Sequence, residues 1–169
     1  EGVDPWHVAY QLFERWETAR LRLLSSIIAT LDIAFDGRVA IMRVTREMLA
    51  ICGADDDMVE GMVNYARRVE GVEVGGLLWE WEVRDASGTR IETKISLRSS
   101  GDFDVSNGAT KRWKIRGDFD VSKVAGALQG GGHRAAAATQ LDIGIDEADT
   151  RLRAELAKYF GSDSPGSDA

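Results

Sequence analysis

The chain has 169 residues and a mass of 18.5 kDa, the size of one ordinary domain, which excludes a multidomain enzyme within it. Its 44% apolar and 29% charged residues fit a globular domain with a core and exclude a chain that is disordered throughout. The formal net charge of −7 argues against a protein that coats nucleic acid by bulk attraction.

The single cysteine, Cys52, excludes an internal disulfide framework and a four-cysteine zinc site, which is typical of a reducing compartment. No apolar run reaches the roughly 18 residues that a membrane span needs. The first residues, Glu1 to Pro5, lack the basic and then apolar pattern of a secretory signal. We therefore expect a cytoplasmic protein without a membrane partner.

The first 36 residues are predicted to form one long connector helix. Asp4 and Pro5 are a helix start, and apolar residues then recur at three- and four-residue steps as far as Leu31. A helix ending near Asp36 is longer than a compact domain needs, so part of its apolar face is expected to connect domains or dock a partner. The alternative is that it packs on the domain's own sheet.

A strand over Val39–Val44 and two helices are predicted next. Thr45 caps the first helix, which Gly53 closes, and the second runs from Asp55 to Gly71. The three consecutive acids at 55–57 could suggest a metal site. Acids are also favoured in the first turn of a helix by its dipole, and we adopt that interpretation.

Residues 72–84 and 90–98 are predicted to form a hairpin of two strands. Alternation in the second strand places four residues on an apolar face and four on a polar face that ends in Arg98. The apolar residues are Ile91, Thr93, Ile95 and Leu97.

The sequence Gly101–Ser106 is repeated letter for letter at Gly117–Ser122. We interpret the repeat as a short inserted excursion, and its Asp-Phe-Asp triplets as loop and cap residues rather than metal ligands. Residues 90–134 carry nine Lys or Arg against five acids in an otherwise acidic chain. This local charge suits either a polyanionic ligand or a solvated strand surface.

The C-terminal part contains three consecutive glycines followed by a histidine. A short helix capped by Asp120 or Ser122 leads into Gly130–Gly132, His133 and Arg134. We predict a strand over 140–145, a last helix from 146 to 160 and a disordered tail over 161–169, with the alanines at 135–138 as a conditional helix start. The fold class is therefore α/β, a mixed sheet flanked by helices in a domain spanning 37–160.

Consecutive glycines let the backbone take unusual conformations and let a ligand come close. If a helix follows them, its N-terminus adds partial positive charge, and His133 and Arg134 add donors beside it, which would suit a phosphate. The alternative is a tight turn with a core-facing histidine.

Four segments in this order resemble the DHH-associated domain of DHH phosphoesterases, particularly that of bacterial oligoribonucleases (nano-RNases) that also dephosphorylate 3′-phosphoadenosine 5′-phosphate (pAp). The segments are Val72-Glu73-Val74, Ser96-Leu97-Arg98-Ser99, Asp120-Val121-Ser122 and Gly130-Gly131-Gly132-His133. The resemblance covers nearly the whole chain. RecJ-like single-strand exonucleases and alanyl-tRNA synthetases carry related domains.

The resemblance implies a substrate-binding role. Arg98 would grip a phosphate, Gly130, Gly131 and Gly132 would line the nucleotide, and His133 would hydrogen-bond a phosphate, with Arg134 and Arg116 as further candidates. It implies that manganese or magnesium and the attacking water belong to a separate DHH domain, and that the parent enzyme can be a homodimer. Its substrates would be short oligoribonucleotides or pAp.

The chain departs from the family at three points: Gln129 and Ala138 replace glycines, and sixteen extra residues precede the second Asp-Val-Ser copy, which we assign to the family position. It has no Asp-His-His triplet and only two histidines, so we expect no catalytic residue or metal site here and no hydrolysis by this chain alone. The alternatives are a non-catalytic nucleotide or cyclic-dinucleotide binding module, a RecJ-like domain, and an interaction domain built on the long helix.

Overall fold

The computed structural model describes residues 16–86, 88–100 and 119–161. Helices in this part of the chain are α1 (Thr18–Ile28), α2 (Arg46–Cys52), a 3₁₀ helix (Asp56–Val59), α3 (Val63–Ala66), α4 (Val121–Ala127) and α5 (Ile145–Phe160). The strands are β1 (Asp32–Ala34), β2 (Val39–Val44), β3 (Val74–Asp85), β4 (Gly88–Ser99), β5 (Gly131–His133) and β6 (Ala136–Leu141).

The described strands form one six-stranded sheet in the order β1-β2-β3-β4-β6-β5. Strands β2 and β3 are parallel, and every other neighbouring pair is antiparallel. The parallel pair is joined by the segment that contains α2, the 3₁₀ helix and α3, as a crossover requires. This mixed sheet with flanking helices confirms the predicted α/β fold.

The sheet has a separate core on each face. One core lies between the sheet and helices α4 and α5, and it extends from Val39 on β2 across β3 and β4 to Ala137 on β6. The other core lies under α1, α2, the 3₁₀ helix and α3, and its sheet residues come from β2 and from Leu77 on β3. The second helical layer therefore rests on one half of the sheet.

Strand β4 shows why the predicted alternation holds. Thr93, Ile95 and Leu97 are fully buried, the last two in the first core, whereas Lys94 and Arg98 on the other face are half-buried. Because side chains alternate along a strand, burial of one set turns the other set to the opposite face. The predicted alternation is confirmed over 93–98, including Arg98 on the polar face, but it is wrong at the start of the strand, where Ile91 is exposed and Glu92 is buried.

Three predicted caps are also confirmed. The hydroxyl of Thr45 accepts a hydrogen bond from the Met48 amide at 3.2 Å, and the Asp55 carboxylate accepts one from the Met58 amide at 3.3 Å. Asp120 caps α4 by accepting a bond from the Ser122 amide at 3.1 Å. The second Asp-Val-Ser copy thus starts α4, as predicted, with Asp120 as its N-cap, and the first copy lies outside the described residues.

The prediction of one helix as far as residue 36 is wrong, because α1 ends at Ile28 and residues 32–34 form strand β1. Buried Leu23 and Ile27 pack this helix on the domain's own sheet, which was the alternative. Residues 1–15 and the predicted tail from residue 162 lie outside the described residues, and the domain division at residue 36 stays a prediction.

One further helix prediction and one strand prediction are wrong. The helix expected over 55–71 is a 3₁₀ turn followed by the four-residue helix α3. The strand predicted over 140–145 lies at 136–141 as β6, so the alanines at 136–138 start no helix, and α5 begins at Ile145 with Gly144 as its N-cap. Within the described residues, no helix is long and apolar enough to cross a membrane.

Candidate functional site

Arg98 and His133, which lie 35 positions apart in the chain, lie in one row across the sheet. Ala136 on β6 pairs with Arg98 on β4 and with His133 on β5, and Gly75 on β3 pairs with Arg98 from the other side. Residues directly opposite each other on neighbouring strands share a face. At about 4.8 Å per strand, roughly 10 Å separates the Cα atoms of Arg98 and His133, with only an alanine between them.

This row belongs to a stretch of sheet surface that we call the open face. It is the part of the second face formed by β4, β6 and β5, beyond the half that carries α1, α2 and α3. Its residues are exposed or half-buried, and most of those on β5 and β6 have small side chains. They are Lys94, Ser96 and Arg98 on β4, Ala136, Ala138 and Gln140 on β6, and Gly131 and His133 on β5.

The glycine run is an edge strand rather than a loop before a helix, so no helix N-terminus adds positive charge beside it. A Cβ at Gly130 would lie 2.3 Å from the Ala138 carbonyl oxygen, and one at Gly132 would lie 2.5 Å from the Ala136 carbonyl oxygen. Gly132 also has a φ of +144°, which disfavours other residues. Nothing lies within 4 Å of a Cβ placed at Gly131, which faces open space.

Two of the three glycines are therefore explained by close packing, and Gly131 alone leaves room for a ligand. His133 is exposed, which rules out the alternative of a core-facing histidine.

Arg98 carries a charge that no described carboxylate pairs. Its Nη1 donates a hydrogen bond to the Leu97 carbonyl at 2.9 Å. The ion pairs among residues 16–86, 88–100 and 119–161 involve other arginines and lysines, and none of them includes Arg98. A half-buried guanidinium of this kind suits an anionic ligand.

Arg134 lies outside the row, in the two-residue turn between β5 and β6. Its carbonyl accepts a hydrogen bond from the Val121 amide at 3.1 Å, which joins the turn to the start of α4. The pKa of Asp120 in that cap is lowered, first by the hydrogen bond from the Ser122 hydroxyl and also by the positive charge of Arg134. Arg116, the remaining candidate, lies outside the described residues.

An aromatic cluster borders the far end of the open face. The Trp79 and Trp81 rings meet edge to face with centroids 4.9 Å apart, and the Lys94 ammonium lies 3.0 Å from the Trp81 centroid. Burial lowers the pKa of Lys94, because a buried ammonium loses its hydration. The face of the Trp81 ring offsets part of the free-energy cost of that lost hydration. Nearby, Glu92 accepts hydrogen bonds from Gln140 and Arg90, and the Gln140 bond is the main cause of its lowered pKa.

Arg67 was missed by the sequence interpretation. The residue follows α3, and its backbone nitrogen lies only 2.5 Å from where a Cβ of Gly75 would be. Its carbonyl accepts a hydrogen bond from the Ser100 hydroxyl at 3.0 Å. The signal was Gly75 itself, because a glycine inside a strand often marks a close approach of another backbone.

A groove of about 600 Å³ lies on the other side of the sheet edge, between the C-terminal end of α4 and helix α5. Leu128, Ile143, Arg151 and Glu155 are among its lining residues, and Gln140 is the only one it shares with the open face. The groove is therefore separate from the row that holds Arg98 and His133.

Metal ligands are not grouped in the part of the chain that the structure describes: no three His, Cys, Asp or Glu side chains lie together in a way that could hold an ion.

Comparison with known proteins identifies the fold. No family model matches the chain, and no curated protein does. An exopolyphosphatase-related protein from Bacteroides fragilis superposes with a TM-score of 0.72 at 22% identity, over 94% of this chain and 40% of that one. A pGpG-specific phosphodiesterase from Vibrio cholerae gives a TM-score of 0.46 at 13% identity, over 96% of this chain and 44% of its own.

At these identities the likeness to the Bacteroides fragilis protein shows a shared fold alone. The chain spans about two fifths of the length of that structure.

Proposed function

We propose that this domain binds the phosphates of a nucleotide on its open face, as the substrate-binding part of a phosphoesterase that acts on short oligoribonucleotides or pAp. The observation that carries the proposal is the row of Arg98, Ala136 and His133, in which two side chains that can donate hydrogen bonds to a phosphate flank a small residue on a surface that no described element covers.

Charge supports the proposal. The protein is acidic, with 28 Asp or Glu against 21 Lys or Arg, yet Arg98 has no ion pair with a described carboxylate. Partial burial of a charge costs free energy unless a partner compensates it. An anion bound at Arg98 would supply that partner, and the planar guanidinium can donate to two phosphate oxygens at once.

The shape of the surface supports the proposal as well. Ala136, Ala138 and Gly131 form a floor without long side chains, so a sugar-phosphate chain could approach the backbone of β5 and β6. Trp79 pairs with Lys94, which lies four residues from Arg98 along β4, or about 13 Å at 3.3 Å per residue. A ligand of about two nucleotides would extend from the arginine towards these rings.

Under this proposal the chain positions the substrate and a separate DHH domain supplies the metal, manganese or magnesium, that activates water. The larger size of the Bacteroides fragilis structure, of which this chain matches 40%, is compatible with such a second domain. A cytoplasmic location and homodimeric assembly of the parent enzyme belong to the same proposal. We expect the isolated chain to release no product from a short RNA with manganese present.

The binding test is a titration of pAp into the chain, followed by tryptophan fluorescence because Trp79 and Trp81 border the open face. Arg98→Ala and His133→Ala should each weaken binding by about 1.5–3 kcal/mol, the worth of a hydrogen bond to a charged group. Arg151→Ala is the matched control, because this arginine lines the separate groove and pairs with Glu147.

Unchanged affinity in both site variants, or a loss in the Arg151 variant alone, would contradict the proposal and point to the groove instead. Absence of any response to millimolar pAp would favour an interaction domain.

A further inference from the structure

Arg67 is positioned beside Arg98 at the border of the open face. An ideal Cβ on Gly75 would lie 3.0 Å from the Arg67 Cβ. Gly75 pairs directly with Arg98, and the Cβ positions of such a pair are about 4.5–5.5 Å apart. The two arginine Cβ atoms are therefore at most about 8.5 Å apart, by adding these separations.

The position of Arg67 is fixed by its surroundings. Its backbone occupies the space that a side chain at Gly75 would fill, and its carbonyl is held by the Ser100 hydroxyl. Ser100 is held in turn, since its amide donates to the Glu73 carbonyl at 2.9 Å. These contacts join the end of α3 to β3 and to the end of β4, which carries Arg98.

Two guanidinium groups brought to one place repel each other unless something negative lies between them. Arg67 is half-buried, and within the described residues it has no recorded ion pair with a carboxylate, as is true of Arg98. Arg68, the next residue, differs: it is exposed, and its guanidinium lies 5.5 Å from the Tyr65 ring centroid. Of these three arginines, Arg67 and Arg98 are the two that are half-buried and have no ion pair with a described carboxylate.

We infer that Arg67 and Arg98 together bind one phosphate group and that the pair selects a terminal phosphate. Arginine side chains whose Cβ atoms are this close can bring both guanidinium groups to the same phosphate. A terminal phosphate carries nearly two negative charges at neutral pH, whereas a bridging phosphate carries one. Two guanidinium groups therefore favour the end of a nucleotide chain over its middle. This inference rests on the proposed nucleotide binding and adds to it the chemical class of the bound end.

The test compares 5′-phosphorylated diadenylate with the same dinucleotide lacking the 5′-phosphate, each titrated at pH 8 into the full chain. The wild type should bind the phosphorylated dinucleotide about tenfold more tightly, as expected for one added charge-assisted interaction. Arg67→Ala should abolish this preference and leave the affinity for the unphosphorylated dinucleotide within about twofold. Arg67→Lys should restore part of it, because lysine keeps the charge without the planar fork.

Arg68→Ala is the matched control and should keep the full preference. Equal preference in Arg67→Ala and the wild type would overturn the inference, as would an equal loss of affinity for both dinucleotides. If Arg98→Ala weakens binding while Arg67→Ala changes nothing, the proposed function stands and this inference fails. If the wild type binds neither dinucleotide, both fail.

Discussion

Substituting Gly75 by alanine tests the link between the fold and the site. The added methyl carbon would lie 2.5 Å from the Arg67 nitrogen and 2.9 Å from its Cα, whereas ordinary contact begins at 3.4 Å. Residue 67 must therefore move by about 0.9 Å, the difference between these distances, and no side-chain rotation can relieve a clash with backbone. Overpacking of this kind costs about 1–3 kcal/mol.

The assay is urea denaturation of Gly75→Ala beside a glycine control. Gly126→Ala is the matched control, because nothing lies within 4 Å of its Cβ and it lies inside helix α4, where alanine should stabilise by up to about 1 kcal/mol. We expect Gly75→Ala to lower the urea concentration at the unfolding midpoint and Gly126→Ala to raise it. A Gly75→Ala protein as stable as the wild type would refute the close approach of Arg67 to β3, and with it the pairing of Arg67 with Arg98.

The other predictions concern the glycine strand and one carboxylate. Gly132→Ala should destabilise strongly, since its methyl would meet the Ala136 carbonyl at 2.5 Å and φ is +144°, whereas Gly131→Ala should leave the unfolding midpoint unchanged and weaken pAp binding. Equal midpoints for the two variants would contradict this account of the run. The pKa of Glu92 is held below 4.5, chiefly by Gln140, so its stabilising effect should be complete above that pH and lost as pH falls through the lowered value. The stability difference between wild type and Glu92→Gln should therefore shrink below pH 4.5, and a difference that grows there would show the sign to be wrong.

The sequence was most informative where local chemistry decides the structure. Alternation along residues 91–98 predicted the face on which Arg98 lies, and Thr45, Asp55 and Asp120 cap helices as their side chains and spacing indicated. Each of these patterns depends on neighbours within a few residues, so it can be interpreted without knowing the tertiary structure.

Prediction failed where distant partners decide the structure. The alanines at 136–138 favour a helix by propensity, yet they form a strand because β4 pairs with them on one side and β5 on the other. Arg67 at the end of α3 approaches Gly75 on β3, eight positions later in the chain. No periodic pattern in the sequence indicates such a contact between a helix end and a strand. The row that joins Arg98 to His133 likewise exists only once β6 lies between them.

The most direct test of the central claim, that the open face is the ligand surface, is to map amide chemical shifts of the ¹⁵N-labelled chain during a pAp titration. We predict saturable shifts along 94–98, 131–133 and 136–140, with much smaller changes at 151–155 in the groove. Shifts confined to the groove residues, or none at saturating pAp, would contradict the account.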